Sequence, residues 1–281
     1  MRLALWLARK VGWRRLEWLL WPVSLYFFVV NTSARRASRA YLQRALRGRY
    51  RTGAVLRHMH SFAQAVLDRM FFLQDSKHMP PVRVEGREQL LQTLAAGQGC
   101  LLLGAHIGSF EAFRALGREH TIPLRMLMYR SNLGGATHVL EALDPAYAGL
   151  IIPIGEVDTM LRVAESLGKG EIVGILGDRT PDTGRCVPAR MLGGDISIPE
   201  GPFRLALATG APLVLVSAIR AADGVYDIRF ERFDVPYPSS RQGRAVFVQM
   251  AVERYVGWME TLCLRHPFAW FNFYDYWKDA P

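Results

Sequence analysis

His106 and Glu111, with four residues between them in the string GAHIGSFE, form the pair in this sequence best suited to moving a proton. A carboxylate held against an imidazole fixes its tautomer and stabilises the imidazolium formed when the ring takes a hydroxyl proton. With such a base, an acceptor hydroxyl can attack an activated thioester directly, so no serine or cysteine nucleophile is required. No Gly-x-Ser-x-Gly elbow is present to suggest an acyl-enzyme hydrolase. Spacing alone also fits a loop histidine beside a helix-capping glutamate.

The elements around the pair give it a place. The apolar run at 100–105, CLLLGA, stops at His106. In open α/β sheets, functional groups gather beyond the carboxyl ends of the strands. Ser109 is suited to cap a helix that follows, and Glu111 falls in its first turn, where the helix dipole favours a carboxylate.

From Val82 onward, short apolar runs alternate with amphipathic stretches, the pattern of an α/β domain. Strands are predicted at Val82–Glu85, 100–105, Leu124–Tyr129, Ile151–Ile154, Ile172–Leu176, 213–219 and 226–230. Helices are predicted at Arg87–Ala95, 109–117, 136–143, 157–167, Gly201–Thr209 and 244–264. The expected fold is a mixed, mostly parallel sheet flanked by helices, spanning 51–281, behind an N-terminal membrane-associating helical segment at 1–50.

That segment carries most of the charge. Residues 1–57 hold thirteen Arg or Lys and one acid, Glu17, a net +12 against +10 for the whole chain. A block this basic points to an anionic surface, phospholipid or nucleic acid. Within it, residues 16–30 read LEWLLWPVSLYFFVV, with Arg14-Arg15 before and Arg35-Arg36 after. Such an aromatic run between arginines excludes a nucleic-acid arm and suits the headgroup region of an anionic membrane. Fifteen residues interrupted by Pro22 are fewer than the roughly 20 that span a bilayer. Spanning and interfacial insertion both remain open, and so does a buried hairpin helix of the core. The run leads into NTSARR, not a cleavage site, so it is expected to be retained.

Cys100, Cys186 and Cys263 are widely separated and odd in number, which fits a reducing, cytoplasmic side and no disulfide framework. His120 and His138 have no ligand spacing with His106, Glu111 or Asp178, so no metal is expected.

GAHIGSFEAFRALG resembles the histidine-and-acid block of the lysophospholipid acyltransferase superfamily, and within it the late lipid A acyltransferase branch, which also uses Glu. Other blocks follow in matching order: MYRSN at 128–132, GILGDR at 174–179, IPEGPFRLA at 198–206, GAPLV at 210–214 and the closing HPFAWFNFYDYWK at 266–278. The resemblance covers the chain from its N-terminal run to its last residues. Two departures concern the acceptor: a short interval from His106 to Arg130, and MLGG at 191–194 where the branch has a Phe-Phe-Gly-like turn.

The resemblance implies a membrane-associated O- or N-acyltransferase on the cytoplasmic face of a bacterial inner membrane. Its donor would be an acyl carrier protein or coenzyme A thioester and its acceptor lipid-like, with no cofactor. His106 would be the base and Glu111 its orienter. Arg130 would supply charge near the oxyanion or a donor phosphate, or is a surface arginine at a strand end. Asp178 and Arg179 either line the acceptor site or pair with each other and Arg130 structurally. Glu200 and Gly201 lie at a helix start whose free N–H groups suit a phosphate, although Pro202 there is also ordinary capping. The competing readings are a non-catalytic membrane- or lipid-binding protein and an acyl hydrolase.

Overall fold

A computed structural model describes residues 13–49, 51, 53–73, 79–95, 97–113, 124–129, 148–179 and 184–277. The described strands are β1 (Val82–Glu85), β2 (Cys100–Gly104), β3 (Leu124–Tyr129), β4 (Ile151–Ile154), β5 (Ile172–Leu176), β6 (Cys186–Met191), β7 (Gly194–Pro199), β8 (Leu213–Arg220) and β9 (Tyr226–Arg232). Seven of them form one sheet in the order β1-β9-β8-β2-β5-β3-β4, and β6 pairs with β7 as a separate hairpin. The strands from β8 to β4 run parallel, while β9 is antiparallel to β8 and parallel to β1. The sheet is therefore mixed and mostly parallel, as the alternating pattern predicts.

The described helices are α1 (Trp13–Val30), α2 (Thr32–Ala45), α3 (Ala54–Leu73), α4 (Arg87–Ala95), α5 (Thr159–Gly168), α6 (Gly201–Thr209) and α7 (Gly243–Arg265). The expected helix at 136–143 lies outside the described residues, and the one starting near Ser109 is described only to Phe113. Central strand β2 is buried throughout because both of its faces are covered. Leu101 and Leu103 belong to one apolar layer with Val252, Tyr255 and Met259 of α7. Cys100 and Leu102 point to the other, with Phe72 of α3, Leu90 of α4 and Phe113. Period-two alternation in β2 thus divides the core between two helical layers, each fully buried leucine contributing about 2 kcal/mol.

Helix α1 is amphipathic in the inverted sense. Its inward stripe, Glu17, Leu20, Ser24 and Phe28, carries two polar residues. Glu17 is ion-paired with Arg220 at the end of β8. The Ser24 hydroxyl donates to the Leu20 carbonyl at 2.7 Å and meets His60 Nδ1 of α3 at 3.1 Å. Outward lie Trp18, Leu19, Leu25, Tyr26, Phe27, Val29 and Val30, all more than half exposed. The buried core hairpin is therefore not the arrangement found. Among the described residues, no helix is long and apolar enough to cross a membrane.

Candidate active site

Strand register brings the site together. Gly104 of β2 pairs with Leu176 of β5. His106 and Asp178 each lie two residues beyond these partners, so they emerge side by side at the carboxyl edge of the sheet. Gly177 N–H donates to the Gly104 carbonyl at 3.0 Å, carrying the pairing one residue past the strands. Tyr255 of α7 donates its hydroxyl to the same carbonyl at 2.8 Å. A side chain at Gly177 would meet Leu103 and Tyr255, so close packing favours glycine there.

His106 Nδ1 and Asp178 Oδ1 are 2.7 Å apart. The other carboxylate oxygen accepts the His106 backbone N–H at 3.0 Å and the Trp270 indole N–H at 3.1 Å. The Asp178 side chain is fully buried and that of His106 is 27% exposed. Burial alone would raise the Asp178 pKa, but the charge and hydrogen bond of His106, with the two N–H donors, hold it down at about 2. An ionised carboxylate can only accept, so Nδ1 carries a proton, and in the neutral ring Nε2 is the nitrogen with the lone pair. Among the described residues, Nε2 has no hydrogen-bond partner. The arrangement leaves the second ring nitrogen open and able to accept a proton.

Glu111, expected to orient this ring, is elsewhere engaged. Its carboxylate forms an ion pair with Arg69 of α3 at 2.8 Å and sits 3.4 Å from the Ser109 hydroxyl. The orienting role expected of Glu111 falls to Asp178. The physical reason is strand adjacency: β5 abuts β2, while the turn after Ser109 carries Glu111 toward α3.

The closing aromatic segment locks the dyad from outside. Phe271 N–H donates to the His106 carbonyl and Gly108 N–H to that of Ala269, both at 2.8 Å. The Tyr276 hydroxyl donates to the Asp178 carbonyl at 2.8 Å. Trp270 is fully buried, and its own carbonyl accepts His58 Nε2–H at 2.8 Å. His58 Nδ1 must then accept from the Ser38 hydroxyl, also 2.8 Å away. Burial lowers the His58 pKa to about 4 despite the opposing bond to Trp270, so this connector stays neutral. A chain of four hydrogen bonds thereby links Ser38 of α2, through His58 of α3, Trp270 and Asp178, to the His106 ring. The sequence marks these aromatics as core, groove wall or membrane contact; a serine in one helix and a histidine in the next are too common a signal to reveal the link.

Gly108 is positioned by necessity. It has φ +77°, and a Cβ there would overlap the Ala218 carbonyl oxygen of β8. The short bridge from Gly108 to β8 lets the His106 loop lie flat across the strand end.

The other expected site residues divide. Arg179 is exposed, and its guanidinium donates to the Phe271 carbonyl at 3.1 Å, so it shares the segment that grips His106. Arg130 lies outside the described residues, as do His120 and His138. Glu200 and Gly201 start α6, where Pro202 occupies the first turn and Glu200 pairs with Arg204 at 2.6 Å. Glu200 lines a groove with Arg241 and Arg244 that includes neither His106 nor Asp178. Asn272, not among the residues expected at the site, is 2% exposed with neither amide atom partnered among the described residues. Its signal was one carboxamide inside an aromatic run. No group of three His, Cys, Asp or Glu side chains suited to a metal occurs among the described residues. No protein-family model matches the chain and no curated protein matches it, so the chemistry of the site is argued from its own geometry.

Proposed function

We propose that this protein is a membrane-surface acyltransferase that moves a fatty acyl group from a carrier-protein or coenzyme A thioester to a hydroxyl or amine of a lipid-like acceptor. The observation that carries the reading is the 2.7 Å contact between His106 Nδ1 and the buried Asp178 carboxylate, which leaves Nε2 as an oriented base. Nε2 takes the acceptor proton as the acceptor oxygen or nitrogen attacks the thioester carbonyl carbon. The tetrahedral adduct then collapses, the C–S bond breaks, and the departing thiolate takes the proton from Nε2. Asp178 stabilises the imidazolium between these steps without itself becoming protonated. A cation suited to the oxyanion would come from Arg179 or Arg130.

Helix α1 supports the membrane part of the reading. An exposed face of Trp18, Tyr26 and Phe27, followed by exposed Arg36 and Arg39 on α2, matches an interface of acyl chains below phosphate headgroups. The proposed location is the cytoplasmic face of a bacterial inner membrane, which rests on the resemblance.

The test is the fate of a labelled acyl thioester incubated with lipid extract. The full chain should form acylated lipid in excess of free fatty acid, and His106→Ala should lose that product while still floating with vesicles. Free fatty acid as the main product would mean a hydrolase, and unchanged transfer by the variant would remove His106 from the chemistry. Mass spectrometry of the product would name the acceptor.

A further inference from the structure

A cavity of about 930 Å³ lies at the carboxyl end of the parallel strands, walled by α1, α3, the end of β8 and the segment after α7. Neither His106 nor Asp178 lines it, although Gly108 and Phe271 beside them do. Its lining is cationic: Arg57, Arg220 and Arg265 face one carboxylate, Glu17. Arg220 is committed to Glu17 and to buried Asp68. Arg57 and Arg265 form no ion pair among the described residues, and the Arg57 guanidinium lies 4.3 Å above the centre of the Phe268 ring. A guanidinium stacked in this way keeps its N–H edge open to an anion.

The opposite wall is apolar and leads outward. Trp21 stacks on His60 with ring centres 3.9 Å apart, which fixes α1 against α3. Trp18, 79% exposed, stands where the cavity meets the outer apolar face of α1. A ligand matching both walls has a compact anion at one end and hydrocarbon at the other.

We infer that this cavity binds the phosphate headgroup of an anionic membrane phospholipid between Arg57 and Arg265, with the chains passing Trp18 onto the apolar face of α1, at a site separate from the His106 base. The path of the chains along α1 rests on reading that helix as membrane-facing; the headgroup site between the two arginines does not, and neither depends on acyl transfer. Two phosphate-directed arginines and a bordering apolar helix would fix the depth and rotation of the protein on the bilayer. Docking against a continuous anionic surface would need only diffuse positive charge.

Calorimetric titration of the full chain with dihexanoyl phosphatidylglycerol, below its micelle concentration, tests the site. One-to-one saturable binding is expected, at least about tenfold tighter than inorganic phosphate. Arg57→Gln with Arg265→Gln should weaken it by roughly 30-fold, from two lost charge-assisted contacts. Arg87→Gln with Arg190→Gln, the same charge change at two exposed positions outside this cavity, should leave it unchanged. Absence of saturable binding by the unmodified chain, equal losses in the two double variants, or phosphate binding as tight as the lipid would each overturn the inference. Flotation with phosphatidylcholine vesicles, with and without phosphatidylglycerol, reads the membrane reading separately. Lipid bound in the calorimeter without flotation would sink the role of α1 and leave the headgroup site standing.

Discussion

Replacing Asp178 by Asn tests the dyad with almost no change of shape. Three N–H donors converge on the Asp178 carboxylate: one on Oδ1, from the ring, and two on Oδ2, from the His106 backbone and Trp270. An asparagine has one acceptor oxygen and one donor group. The two fixed donors at Oδ2 claim the amide oxygen, because the opposite rotamer would set an NH2 group against two N–H groups. The NH2 then faces Nδ1, which must give up its proton and accept. The proton moves to Nε2, the nitrogen that should receive one from the acceptor. A general base of this type is worth about 10²–10⁴-fold, so Asp178→Asn should lower single-turnover acyl transfer on the order of 10³-fold with little change in thioester binding. Nitrogen NMR of labelled imidazole should report the proton on Nδ1 in the parent and on Nε2 in the variant. Glu111→Gln, by contrast, removes an ion pair to Arg69 and should leave the tautomer alone. Activity of Asp178→Asn within about tenfold of the parent, or an unchanged tautomer, would refute this account of the base.

Three further outcomes follow from the same geometry. Gly108→Ala forces a Cβ into the Ala218 carbonyl at φ +77°, so the folded state should lose about 3 kcal/mol or more, read as a fall in urea midpoint. Trp270→Phe deletes one donor to Asp178, whose pKa should rise from about 2 toward its ordinary value of 3.8. A depressed carboxylate pKa contributes stability above the ordinary value that is lost as pH falls through the folded one, so the acid unfolding midpoint of this variant should move to higher pH. Urea titrations between about pH 5 and pH 2 would show it, and an unmoved midpoint would mean the indole bond contributes nothing. Trp18→Ser with Phe27→Ser should cut vesicle binding roughly 100-fold while leaving the thermal midpoint in place, because both side chains are more than half exposed in the free protein.

The sequence exposes the main sheet because period and punctuation are local properties. All seven of its strands begin at the predicted residue, and the differences at their ends amount to one or two residues in β2, β8 and β9. The β6–β7 hairpin escapes notice for a local reason as well. Its two-residue turn has positive φ at Leu192 and Gly193, where an Asn or Asp in the first place would have announced it. Leu192 tolerates that backbone because its side chain is buried in the main core. His106 is legible as the residue that ends an apolar run. Its partner is hidden, since choosing Asp178 over nearby Glu111 requires knowing that β5, three strands later in the chain, lies directly beside β2. Likewise, the run at 16–30 reads as apolar from sequence, but only the fold reveals that Glu17 and Ser24 turn inward and the aromatics outward.

The bond from Trp270 to Asp178 also bears on when the protein becomes competent during its synthesis. The contacts that fix the base join residues 72, 92 and 212 positions apart, the longest linking His58 to Trp270. A nascent chain stopped after α7 can already pair all seven strands of the sheet and bury most of its core. The carboxylate would then lack its indole donor, and the His106 loop would lack the backbone bridge to Phe271. The His106–Asp178 pair thus reaches its final arrangement only once Trp270 and Phe271 have left the ribosome.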